Sequence, residues 1–280
     1  MNQAMSTDPK QLYLSLLKQA LSFNLWQEPP VTLETFNYRR SSFRRGLISF
    51  ISGILALGRM QLVKKQTVSK SQREEGHIWP GYADTMIGLK RLDNIQNCLE
   101  VVLRDDVDGD VIETGVWRGG ACILMRAILA AHGVDGRKVF VADSFEGLPI
   151  PDPAAFPADS GDQHYIHEFL AVSQEDVENN FKRYGLLDEQ VVFLKGWFKD
   201  TLPNAPIQKL ALMRLDGDMY SSTMDALQNL YPKLSVGGFC IIDDFASPAC
   251  ESAVNSYREE HGIVAPIETV DWTGRYWRKT

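Results

Sequence analysis

The chain is 280 residues long, 44% hydrophobic and 23% charged, proportions that suit a globular protein and exclude a disordered or collagen-like one. Its four cysteines, Cys98, Cys122, Cys240 and Cys250, lack the C-x-x-C spacing of zinc knuckles and redox dithiols, so reduced thiols and a cytoplasmic location are expected. The net charge of −7 is uneven: residues 35–73 hold nine Lys or Arg and no acid, against 20 basic and 36 acidic side chains elsewhere, and so acidic a body argues against nucleic acid as a partner.

The first ten residues are polar and lack the order of a secretory signal, so no export is expected. Residues 9–25 place Leu12, Leu16, Leu17, Ala20 and Leu21 near a 3.6-residue period, which predicts an amphipathic helix. Glu28-Pro29-Pro30 stops it, because proline cannot continue a helix. The apolar run 46–58 follows, between Arg44, Arg45 and Arg59. It is too short to span a bilayer, which takes about 20 apolar residues. Its face of Leu47, Phe50, Ile51, Ile54 and Leu55 suits either a membrane interface at residues 44–59 or a neighbouring subunit, and the second is favoured.

From residue 110 short β-rich runs alternate with helix-length stretches, the pattern of a parallel sheet with helices on both faces. Strands are predicted at 110–114, 138–142, 191–194, 210–215 and 239–242, and helices near 119–132, 173–184, 221–231 and 248–261. Residues 267–270 and 275–278 look like a hairpin across a turn-rich stretch.

Chemistry gathers where these strands end. Asp110-Val-Ile-Glu-Thr-Gly-Val-Trp-Arg-Gly-Gly120 runs from strand to helix through Gly115, Gly119 and Gly120. Such a turn lets the backbone approach a ligand, and the helix N-terminus behind it offers unpaired N–H groups. The G-x-x-x-G-G spacing misses the dinucleotide pattern, and Glu113 favours a cofactor with cationic groups, as in S-adenosylmethionine. Asp143, with Ser144 and Phe145 at the end of the next strand, is placed to accept ribose hydroxyls. Asp216, Asp243 and Asp244 end two later strands. Three converging carboxylates repel in a low-dielectric cleft, and a divalent cation bound through oxygen alone, such as magnesium, relieves that repulsion. Trp197 is either a flank for the adenine or a core aromatic.

These motifs resemble the macrocin O-methyltransferase family of sugar-modifying enzymes. The resemblance runs from about Thr85 to Arg278 and rests on Thr85-Met-Ile-Gly88, Glu113-Thr-Gly-Val-Trp-Arg-Gly-Gly120, Asp143-Ser-Phe-Glu-Gly-Leu-Pro149, Gly196-Trp-Phe198, Leu215-Asp-Gly-Asp218 and Asp243-Asp244. It implies a class I methyltransferase (Rossmann-like) fold, a mostly parallel seven-stranded sheet, on residues 85–280 behind an N-terminal helical extension, residues 1–84, and usually a homodimer. It also implies magnesium on Asp216, Asp243 and Asp244, a cofactor lined by Glu113, Gly115 and Asp143, and closure over it by Thr85 and Met86. Thr114, Gly119, Gly120, Ala121, Ser144 and Phe145, in the same two turns, are expected to join that lining.

The expected reaction is methyl transfer from S-adenosylmethionine to a hydroxyl of a glycosylated small molecule. A cation stabilises the alkoxide as it forms, so a vicinal diol is the expected acceptor. The lysine that follows the first metal ligand in catechol methyltransferases is missing; Gly217, Asp218, Met219 and Tyr220 stand there. That leaves Asp216 as both ligand and proton acceptor, with a second carboxylate or a water as alternatives. A phenolic acceptor stays open, and an NAD-linked oxidoreductase is disfavoured by the glycine spacing. His164 and His167, in the long insertion 149–169, are expected to cover the cleft rather than bind metal.

Overall fold

The structure, a computed structural model, describes residues 8–32, 42–65 and 67–280. Helix α1 (Pro9–Leu21) opens with Asp8, whose side chain accepts the Lys10 N–H at 3.1 Å, and with proline at its first position, where no N–H is needed. Leu14, Leu17 and Leu21 bury one face of it in the main core. Strand β1 (Val31–Thr32) pairs antiparallel with β2 (Val63–Lys64), and α2 (Ser42–Leu57) lies between them in sequence. Ile48 is buried, but Leu47, Phe50 and Ile54 face outward with half or more of their surface exposed, so the apolar face read from the sequence is uncovered. No described helix is long and apolar enough to cross a membrane. The basic residues 39–40, and the side chains of Arg44 and Arg45, lie outside the described residues.

Two helices precede the sheet: α3 (Lys70–Glu75), whose N-terminus is closed by a Ser69–Gln72 capping box, and α4 (Leu89–Arg104). The elements expected from sequence omit α4, although Leu92, Ile95, Leu99 and Val102 bury one of its faces. The sheet elements then alternate as β3 (Asp110–Thr114), α5 (Gly120–Ala131), β4 (Val139–Asp143), α6 (Gln174–Arg183), β5 (Val191–Lys195), α7 (Phe198–Thr201), β6 (Leu210–Leu215), α8 (Tyr220–Leu230), β7 (Leu234–Ile242), α9 (Pro248–Glu260), β8 (Glu268–Thr269) and β9 (Arg275–Arg278).

The seven strands lie in the order β5-β4-β3-β6-β7-β9-β8, with β3 to β7 parallel and β9 antiparallel to both neighbours. This is the class I methyltransferase arrangement expected above. Side chains alternate across it. Val111, Val139 and Leu212 join the core under α1, α4, α5 and α6, whereas Ile112, Phe140 and Met213 join the core under α8 and α9. Strands buried on both faces therefore read as continuous apolar runs. Because β4 lies on one side of β3 and β6 on the other, connections diverge between β3 and β6, and a crevice opens at the carboxyl ends of those strands.

Candidate active site

The floor of the crevice is backbone. Beyond β3, Gly115 donates its N–H to Ala142 and Asp216 donates to Thr114, both at 2.9 Å, while Asp243 donates to Leu215 at 2.9 Å. Each strand thus hands its last residue to the next, and Glu113, Asp143, Asp216, Asp243 and Asp244 arrive along one edge. The crossing is tight at Gly115, where a Cβ would stand 1.7 Å from the Asp216 carbonyl oxygen. Above this floor lies a cavity of about 620 Å³, within the usual size for a small-molecule site.

Arg214 organises the floor. It points up from β6, is 1% exposed, and pairs with Glu113, with Asp216 at 2.9 Å and with Asp243. Asp243 pairs in turn with Arg91 of α4, which reaches Asp271 at 2.9 Å. Asp271 is held by the N–H groups of Thr273 and Gly274, and the Thr273 hydroxyl donates to the Asp243 carbonyl. A chain of alternating charge therefore runs through buried space from Glu113 to the C-terminal hairpin. Buried ions persist where partners satisfy them in this way. Burial opposes the charge of Arg214, but Asp243, Asp216 and Glu113 outweigh it and hold the guanidinium well above its ordinary range.

The acids nearest the open side behave differently. One oxygen each from Asp216, Asp218 and Asp244 lies within 4.8 Å of the others. Asp244 accepts the Asp218 N–H at 3.0 Å, and Asp218 adopts a left-handed backbone at φ +57° that carries its side chain inward. Burial, then Asp216, pushes Asp218 up to about 7. Burial, then neighbouring carboxylates, also raises Asp216 and Asp244. Of the three acids expected to hold a cation, Asp216 and Asp244 thus meet Asp218 instead of Asp243. Both oxygens of Asp243 are engaged by Arg91 and Arg214.

Expected cofactor residues divide in the same way. Thr85, Met86, Glu113 and Gly115 line the cavity, as do Ala121, Asp143, Ser144 and Trp197. Asp143 accepts the N–H groups of Val116 at 2.7 Å and Phe145 at 2.8 Å, so it shapes the turn while facing the cavity. Burial pushes Glu113 up to about 7. Thr114, Gly119, Gly120 and Phe145 do not line the cavity. Thr114 is wholly buried, and Phe145 packs on Phe193. Gly119 and Gly120 make room for protein: a Cβ would stand 2.7 Å from Val177 Cγ1 at the first and 2.5 Å from the Asp84 carbonyl oxygen at the second. The first N–H of α5, expected to be open to a ligand, is donated by Gly120 to that Asp84 carbonyl at 3.0 Å.

Residues 149–170 cover the cavity in three short 3-10 turns. His164 lines it, with Nδ1 2.7 Å from Asp162. His167 packs on Trp79 and Phe169 instead. No described metal-ligand cluster includes either histidine. Arg91, Asp271 and Thr273 were not expected in the site; a buried arginine or hairpin turn carries no motif, although the acidic-polar turn Asp271-Trp-Thr-Gly274 was a cue that something must satisfy it.

The macrocin-O-methyltransferase (TylF) family matches residues 10–279. The chain belongs to this family. It is 48% identical over 277 residues to the 8-demethyl-8-(2,3-dimethoxy-alpha-L-rhamnosyl)-tetracenomycin-C 4'-O-methyltransferase of Streptomyces olivaceus, covering 99% of this chain and 95% of that one. It is 46% identical over 275 residues to the mycinamicin III 3''-O-methyltransferase of Micromonospora griseorubida, covering 96% and 97%. Among solved structures, the O-methyltransferase NovP superimposes with a TM-score of 0.82 at 44% identity, over 97% of this chain and 99% of that one.

This macrocin-family chain is therefore an S-adenosylmethionine-dependent O-methyltransferase. The lining of the cavity is compatible with that cofactor: Glu113 and Asp143 bring carboxylates and Trp197 an aromatic ring to its wall.

Proposed function

We propose that the protein methylates a hydroxyl on the sugar of a glycosylated small molecule, with a divalent cation such as magnesium held by Asp216, Asp218 and Asp244. The observation that carries this reading is that those three carboxylates face the same cavity as the cofactor residues. Burial and mutual repulsion raise all three, and oxygen-only donors at this spacing suit a hard cation. The named substrate of the Streptomyces olivaceus relative, a rhamnosyl compound methylated at a 4' oxygen, supports the sugar.

The donor supplies a sulfonium methyl for in-line displacement, and the cation supplies stabilisation of the oxygen that becomes negative. The chain's own residues do the rest. Thr85, Met86, Glu113, Asp143 and Trp197 fix the donor side, and alignment of the two partners contributes most of the acceleration. Asp216 takes the hydroxyl proton at its carboxylate; Arg214, 2.9 Å away, holds that carboxylate in place. Asp243 stays on its two arginines and fixes the adjoining Asp244 through the backbone. Residues 149–170 keep water from the reacting oxygen.

Methyl transfer from labelled S-adenosylmethionine should be followed across a panel of glycosides and free phenols, with and without chelator. Activity on glycosides that chelator abolishes and magnesium restores is the expected result. Turnover unaffected by chelator would remove the cation, and turnover confined to phenols would remove the sugar. Calorimetry with magnesium separates the ligand sets: Asp218→Asn should weaken binding more than Asp243→Asn.

A further inference from the structure

Asp159 closes the 3-10 turn Pro157–Asp159 in the covering segment, and it is 2% exposed. One carboxylate oxygen accepts the Tyr220 N–H at 2.6 Å and the other accepts the Ser221 N–H at 3.1 Å. Those are the first two amides of α8, and the residue at the helix's own cap position, Met219, makes no side-chain bond to them. A helix start leaves such N–H groups without partners and carries positive partial charge, so a carboxylate there is favoured twice over. The usual source is a local Ser, Thr, Asp or Asn. Here it arrives from about 60 residues upstream.

The position of this contact gives it a role beyond stability. Gly217, Asp218 and Met219 immediately precede the capped amides, and Asp218 belongs to the acid trio. On its other side, Asp159 anchors a segment whose Ile150, Asp152 and Phe156 line the cavity. The far end of that segment is tied to the cofactor turn, where Trp117 Nε1 donates to the Phe169 carbonyl at 2.9 Å. We propose that Asp159 is a positioning residue: it joins the covering segment to the acid-bearing loop, so that the acceptor wall and the Asp218 carboxylate are set by one contact. The part concerning Asp218 rests on the cation reading above; the part concerning the acceptor wall does not.

The test uses the full-length protein and the variants Asp159→Ala and Asp159→Asn. In the ligand-free state, hydrogen exchange at the Tyr220 and Ser221 amides and limited proteolysis within residues 149–171 report the anchor directly. Asp159→Ala should accelerate both, raise the acceptor KM about tenfold, the loss typical of a helix cap, and weaken magnesium binding in calorimetry, with S-adenosylmethionine affinity retained. Asp159→Asn keeps one carbonyl oxygen for one of the two amides and should fall between; it carries the same readouts should the alanine variant not fold. Unchanged exchange and proteolysis would overturn the proposal. So would equal losses in cofactor affinity and acceptor KM, the signature of general destabilisation. Chelator insensitivity of the unmodified enzyme would remove the cation and still leave the exchange and KM differences to stand or fall separately.

Discussion

The guanidinium of Arg91 in α4 holds the carboxylate of Asp243 at the end of β7, across 152 residues of chain, and reaches Asp271 with its other edge. Removing it would leave Asp271 buried without a cation and Asp243 with Arg214 alone. Arg91→Ala should lower unfolding free energy in urea by about 3–5 kcal/mol, the range for breaking a buried pair. Adding Asp243→Asn and Asp271→Asn should return part of that loss, and no recovery in the triple variant would show that packing alone was at stake.

A second prediction separates room for a ligand from room for the protein. Gly119 adopts φ +83° and stands against Val177 and Phe181, away from the cavity. Gly119→Ala should therefore cost about 1–3 kcal/mol through backbone strain and contact. S-adenosylmethionine affinity of the folded protein, measured by calorimetry, should stay within error. A weaker affinity at unchanged stability would mean that the turn meets the cofactor after all.

Thiol chemistry gives a third. Burial pushes Cys98 up to about 12 and raises Cys122, Cys240 and Cys250 as well. Because the thiolate is the reactive form, native protein should resist a disulfide-exchange reagent between pH 7 and 9. All four thiols should react once denaturant is added. Rapid labelling of native protein at pH 8 would contradict this.

The parallel strands were legible to within a residue or two, except the long β7, because apolar runs buried on both faces leave a strong signal and their Gly and Asp ends punctuate it. The acid edge was legible for the same reason: Asp216, Asp243 and Asp244 follow strand ends, and strand ends meet. Which carboxylates meet one another was not, since that depends on Arg91 and Arg214 capturing Asp243, and on the backbone at Asp218 rotating into the left-handed region. Nor was the cap from Asp159, a single acid in an irregular stretch with no period to mark its partner. Helix α4 is a different case, for Leu92, Ile95, Leu99 and Val102 repeat at helical spacing and the pattern was there to be read.

The uncovered face of α2 yields a fourth prediction. Phe50 and Ile54 are 67% and 54% exposed, so Phe50→Ser with Ile54→Ser should leave stability within about 0.5 kcal/mol, as for other surface changes. If the homodimer expected from sequence forms on this face, light scattering should show the variant as a monomer. A dimer of unchanged mass would place that interface elsewhere.

Strand β9 enters the sheet between β7 and β8, and the turn before it delivers Asp271 and Thr273 to Arg91 and Asp243. Chains are made from the N-terminus, and early parts begin folding while synthesis continues. The turn at 115–120 and the acid loops can thus emerge before Asp271, the second carboxylate on Arg91, exists. During that interval the guanidinium has one carboxylate fewer than in the finished protein, and β7 presents a bare edge. A nascent chain halted before residues 268–278 lacks both Asp271 and Thr273, and the edge of β7 that β9 covers in the finished protein is left open to mispairing.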